Sequence, residues 1–129
     1  MKDDRLYLIH IQESIDRIEE YVINGKESFF ADAKTQDAVV RNLQILAEST
    51  QRLSQELKAD RSEVDWKKIA GFRNILVHDY LYVDPVLVWE IVEDKLAQLK
   101  RTVAQMLVSL EGSGEEPNDS PAETSDSGL

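Results

Sequence analysis

The stretch DPVLVWEIVEDKLAQLKRTVAQMLVSL, residues 84–110, decides the fold class. Within it Trp89, Val92, Leu96, Leu99, Val103, Met106 and Leu110 follow one another at alternating steps of three and four. Apolar side chains at that spacing fall on one side of an α-helix, so the stretch reads as an amphipathic helix with one face to cover. It opens on Asp84-Pro85. Aspartate caps the free amides of a first turn, and proline sits at the first helical position without losing a hydrogen bond.

The same pattern recurs upstream. Leu8, Ile11, Ile15, Ile18 and Val22 mark a helix over about residues 4–23. It is expected to stop at Asn24-Gly25, because both residues tolerate a left-handed backbone. Val39, Leu43, Leu46, Thr50, Leu53 and Leu57 mark a second helix over about 35–57. Phe29 and Phe30 lie between the two, in a short segment expected to pack over the end of the bundle. A third helix is expected from Ser62, which with Asp65 resembles a capping box, to about residue 80. Four stripes joined by short connections predict an all-α fold, an antiparallel four-helix bundle. A coiled-coil dimer shares the period, but the breaks at Asn24-Gly25 and Asp84-Pro85 argue against long rods. Residues 1–110 form the helical domain on this reading. Residues 111–129, rich in Gly, Ser, Pro and acids and lacking an apolar stripe, form a disordered acidic tail.

The 129 residues suffice for one core, and the net charge is −10. Six of the 25 acids and none of the 15 bases fall in 111–129, which leaves the helical part at −4. Such a body is no general polyanion binder, so nucleic acid would need a local basic patch. There is no cysteine, hence no disulfide and no thiolate metal site, which suits the cytoplasm. No apolar run is long enough to span a membrane, and the charged start lacks the apolar core of a signal peptide. His10 and His78 stand far apart with no second ligand at metal-binding spacing, so no metal is expected.

The third helix carries the chemistry. Its sequence from residue 66 to 80 is WKKIAGFRNILVHDY. On an ideal helix Trp66, Ile69, Leu76, Val77 and Tyr80 fall within roughly 60° of Arg73. That puts a cation on an apolar face, where it needs a partner or an open cleft. Asn74 and His78, one turn apart, share a second face with the small residues Ala70 and Gly71, and the amide is placed to orient the imidazole. Arg73 and His78 lie about 140° apart, so one helix converges them poorly. Two copies about a twofold axis would bring both to a shared groove, while Ala70 and Gly71 let the helices approach closely. The set fits RNA cleavage. Histidine titrates in the range needed to take the 2′-hydroxyl proton and to protonate the leaving oxygen. Arginine's fork matches a phosphate as charge develops on it. The alternative for Arg73 is a structural pair with an acid at the core edge such as Glu48, and for Tyr80 a packed ring with its hydroxyl at the rim.

Arg73-Asn74-Ile75-Leu76-Val77-His78-Asp79-Tyr80 resembles the RxxxxHxY signature of the HEPN superfamily, and more closely the HepT-like toxins of the HepT/MntA toxin–antitoxin systems. The flanks Asp65-Trp66, Gly71-Phe72 and Val88-Trp89 are similar too, as are Arg17-Ile18-Glu19 and the entry into the second helix from Phe30 to Val39. The likeness spans roughly residues 4–107. It implies a homodimeric, metal-independent endoribonuclease acting on RNA (tRNA or mRNA) rather than DNA, with no cofactor. Arg73 and His78 would be its catalytic residues, with Asn74 beside the arginine. It also implies a partner, an MntA-like nucleotidyltransferase antitoxin that transfers AMP from ATP onto Tyr80. The long acidic tail is no part of the family pattern. A second reading keeps the chain as a non-catalytic helical module that binds the nucleotidyltransferase.

Overall fold

Two helices make the centre of the molecule. Helix α1, Asp4–Tyr21, buries Leu8, Ile11, Ile15 and Ile18 completely against α3, Ala33–Arg52, which answers with Val39, Leu43, Leu46 and Ala47. The computed structural model describes residues 3–79 and 83–112, and among them every regular element is helical. Between these two lies α2, Lys26–Ala31. After them come α4, Gln55–Ala59, α5, Trp66–His78, α6, Pro85–Asp94, and α7, Leu96–Gly112. Helix α5 packs on the far side of α3, and α7 packs on α1.

The expected stripes are the buried stripes, but several ends differ, each for a local reason. Helix α1 finishes at Tyr21, and Gly25 takes φ 93° to turn the chain into α2. Few residues but glycine accept that angle cheaply. Phe29 of α2 is buried, its ring 5.3 Å from that of Trp89 and 5.2 Å from Phe30. The two phenylalanines thus pack with Trp89 in one aromatic cluster.

The second helix does not run on to residue 57. Leu53 is extended (φ −69°, ψ 145°), and Ser54 starts α4 by accepting the Leu57 amide on its hydroxyl. The cause lies 50 residues away. Asp4, only 2% exposed, accepts the Ser54 amide at 2.9 Å and the Ser54 hydroxyl at 2.8 Å. Holding a buried carboxylate needs such donors, and they are available only if Ser54 leaves the helix. Burial works to raise the pKa of Asp4, but the hydrogen bonds it accepts, those from Ser54 among them, outweigh it and hold the carboxyl below its ordinary value.

The third helix begins later than Ser62. Asp65 is its cap, accepting the Lys68 amide at 3.1 Å. The turn before it is anchored elsewhere: Trp66 Nε1 donates to the carbonyls of Lys58 and Arg61, and Glu63 accepts from Thr102 on α7. Helix α5 also ends earlier than expected, at His78, with Asp79 as C-cap. Tyr80 lies outside the described residues.

The fourth stripe is divided. Asp84 caps α6 through the Val86 amide, with proline at the first turn as expected, but the helix breaks at Lys95 (φ −115°). Val88 is buried and Trp89 reaches the phenylalanines of α2, while Leu96, Leu99, Val103 and Met106 of α7 line the central core. The bend lets one continuous sequence stripe serve two packing surfaces. Helix α7 runs through Glu111, which pairs with Arg5 at 3.1 Å, to Gly112. The expected acidic tail beyond it lies outside the described residues.

Candidate active site

Helix α5 is held on α3 by Leu76, fully buried, with Ile69, Phe72 and Trp66 packed around it. Arg73 shares that side. Its Nε donates to Glu48 Oε1 of α3 at 2.9 Å, and its Nη1 donates to Asn74 Oδ1 at 3.2 Å. The Arg73 side chain is 28% exposed and that of Glu48 42%. The cation is therefore neither in the core nor free. It is moored at the core edge, with unused guanidinium donors on its open side.

The expected pairing with Glu48 is thus present. A mooring of this kind also places the fork, because an arginine fixed through Nε keeps its terminal nitrogens in a defined direction. Asn74 behaves differently from the sequence reading. Its carbonyl oxygen accepts from Arg73, and among the described residues it makes no bond to His78. His78 is exposed in the last turn of α5, and no described side chain hydrogen-bonds its imidazole. The chain brings Arg73 and Asn74 together and leaves His78 apart on the solvent side.

The surroundings of α5 are open. A Cβ at Gly71 would meet nothing within 4 Å. Beside it, a cleft of about 700 Å³ separates α5 from α6 and α7, floored by Leu43 and Leu46 and walled by Phe72, Ile75, Leu87 and Ile91. On the other side, Glu48 also borders a groove of about 350 Å³ between α1 and α3, with Tyr7, His10, Arg41 and Arg52. These four were not singled out as site residues from the sequence. The signal was there: Arg41, Ile45, Glu48 and Arg52, at steps of four, three and four, form a second face of the helix whose first face builds the core.

Among the described residues no group of three or more metal-ligating side chains comes together, and no helix is long and apolar enough to cross a membrane. A family model described as Ribonuclease HepT-like matches residues 11–106. The chain belongs to the HepT-like family. The match places it in the HEPN superfamily and takes in α5 with Arg73, Asn74 and His78.

Named relatives agree with the assignment. A "Putative RNase" of Caldanaerobacter subterraneus is 34% identical over 108 residues, 83% of this chain and 96% of that one. A "Probable ribonuclease HepT" of Thermococcus cleftensis is 36% identical over 95 residues, 73% of this chain and 86% of that one. A "Gamma-glutamylcyclotransferase and putative RNase" of Methanocaldococcus jannaschii is 37% identical over 111 residues. That match takes in 85% of this chain but spans only about half (50%) of the relative's length. No solved structure matches the chain.

Proposed function

We propose that this HepT-like protein is a metal-independent endoribonuclease, the toxin of a toxin–antitoxin system, built on a HEPN-type four-helix bundle. The observation that carries the reading is the Arg73 guanidinium, moored to Glu48 and Asn74 with its remaining donors at the surface, five residues before an exposed His78. In cleavage, one histidine takes the proton of the ribose 2′-hydroxyl, whose oxygen attacks the adjacent phosphorus. The bond from phosphorus to the 5′-oxygen breaks, and that oxygen receives a proton from a second acid. Arg73 binds the phosphate oxygens as charge gathers on them, and the Asn74 amide nitrogen offers a further donor. The protonated and neutral roles call for two groups, and a second copy of the chain supplies the second His78.

Three observations support a homodimer with α5 at its interface. Arg73 faces the core edge while His78 faces solvent. The surface at Gly71 is open. The neighbouring cleft presents Ile75 and Leu87 to solvent. On this reading an MntA-like nucleotidyltransferase silences the toxin by transferring AMP from ATP onto the Tyr80 hydroxyl. Tyr80 follows α5 by two residues, so an adenylate there adds negative charge close to the groove that must admit a phosphate.

The deciding experiment incubates purified protein with labelled tRNA and mRNA, with and without EDTA. Cleavage that survives the chelator is expected. Cleavage lost in EDTA and restored by a divalent ion rules out the metal-independent mechanism, and no cleavage at all leaves the non-catalytic module that binds the nucleotidyltransferase. Mass spectrometry after treatment with that enzyme, ATP and magnesium reads the modification, and AMP on Tyr7, Tyr21 or Tyr82 with Tyr80 bare rules out the proposed site.

A further inference from the structure

The groove between α1 and α3 carries more basic than acidic side chains on a helical body that is net negative. Its acid, Glu48, is already engaged by Arg73. Its cations, Arg41 and Arg52, form no ion pair among the described residues. The large cleft on the other side of α5 is the opposite case, with Glu63, Asp65, Glu90 and Asp94 set against Lys68 and Lys95. In a helical body of net negative charge, a groove with two arginines outside any ion pair among the described residues is the local basic patch that a polyanion requires.

Its layout is also specific. Arg41 and Arg52 stand eleven positions apart on α3, about 16 Å along the axis at roughly 1.5 Å per residue. Glu48 lies between them, and through it Arg73 reaches the same stretch. Arg41, Glu48 and Arg52 thus share one face of α3, and Arg73 meets that face through Glu48. Two rings from α1 line the same groove: Tyr7, with the Arg52 guanidinium 6.0 Å from its centre, and His10, edge-on to Tyr7 at 5.9 Å. Cations and flat rings along one groove suit a single nucleic acid strand, whose phosphates meet the arginines and whose bases meet the rings.

We infer that the α1–α3 groove holds the RNA strand beside the scissile phosphate, with Arg41 and Arg52 each gripping a flanking phosphate and Tyr7 and His10 contacting a base. The inference rests on the ribonuclease reading for the identity of the strand. It adds a binding surface outside the α5 motif, and it makes α3 the track on which the substrate lies.

The test uses the full-length chain carrying His78→Ala, so that RNA is bound but not cut, and a fluorescent single-stranded RNA read by anisotropy over a range of salt. Arg41→Gln with Arg52→Gln is expected to raise Kd roughly tenfold or more. It should also make the slope of log affinity against log salt shallower by about 1.4, the value for two lost phosphate contacts on a single strand. Arg41→Lys with Arg52→Lys should recover much of the affinity and the full slope. Lys26→Gln with Lys34→Gln, which removes the same charge elsewhere, should change the slope by much less. Affinity and slope unchanged in the Arg41/Arg52 variant overturn the inference, as does a parent protein that binds no RNA. Loss of the dimer in that variant, seen by light scattering, also overturns it and makes the groove a protein interface. Cleavage by the unmutated protein is measured separately. A chain that binds RNA through the groove but never cuts it contradicts the nuclease proposal and leaves the groove standing.

Discussion

His78 and Arg73 differ in what they touch, so their substitutions should separate. His78 is exposed and makes no described side-chain bond, and replacing it with alanine should alter stability by no more than about 0.5 kcal/mol. RNA cleavage should nevertheless be lost, and a His78→Ala protein that cuts at the parent rate overturns its role. Arg73→Ala should also abolish cleavage. Because the Arg73–Glu48 pair is partly open to water, it contributes less than about 1 kcal/mol, and the unfolding midpoint in urea should move little. Asp4 presents the reverse case, a carboxylate far from the motif that holds the fold. Asp4→Asn leaves its donors poorly matched and should cost about 1–3 kcal/mol. The Asp4 pKa is lowered on folding, so its stabilisation is complete above the unfolded value near 3.8 and is lost as pH falls through the folded value. Urea denaturation at pH 7 should separate parent from variant clearly, and the gap should narrow at pH 3 and below.

At the scale of elements, helix ends carry the information that stripes do not. Helix α3 stops at Arg52 because Ser54 is needed by Asp4. Helix α5 stops at His78, two residues short of Tyr80, so the placement of Tyr80 near the angle of Arg73 remains a reading of the sequence and lies outside the described residues. The open face at Gly71 gives a direct test of α5 as an interface. A Cβ at 71 meets nothing within 4 Å, so Gly71→Ala should raise helix stability by up to about 1 kcal/mol. Gly71→Leu should leave the protomer folded, as judged by circular dichroism, but shift light scattering from dimer to monomer and reduce cleavage with it. A Gly71→Leu protein that remains a fully active dimer removes α5 from the interface.

For the whole molecule, charge is unevenly divided. Residues 113–129 contain five of the 25 acids and no base. Their removal, leaving α7 and the Arg5–Glu111 pair intact, should keep helicity and shift Tm by no more than a degree or two. It should also strengthen RNA binding at low salt, since five negative charges no longer repel the phosphates. A large fall in Tm means that this segment docks on the helices.

Period and punctuation were enough to establish an all-helical chain. Val39, Leu43 and Leu46 are buried because a three–four stripe has one face to remove from water, and Asp84-Pro85 opens a helix through local capping and backbone preference. That Arg73, Asn74 and His78 share one helix was legible for a similar reason: their spacing is a local property. What tertiary structure alone decided depends on residues distant in the chain. Asp4 ends α3 from 50 residues away. The pull of Phe29 on Trp89, against the packing of α7 on α1, accompanies a break at Lys95 in a stripe that reads as unbroken. Asn74 turns to Arg73 instead of His78 because Glu48 brings the guanidinium alongside. Arg41 and Arg52 become a groove only when α1 lays Tyr7 and His10 beside them. Spacing along a helix fixes which residues share a face, but only packing determines what that face meets.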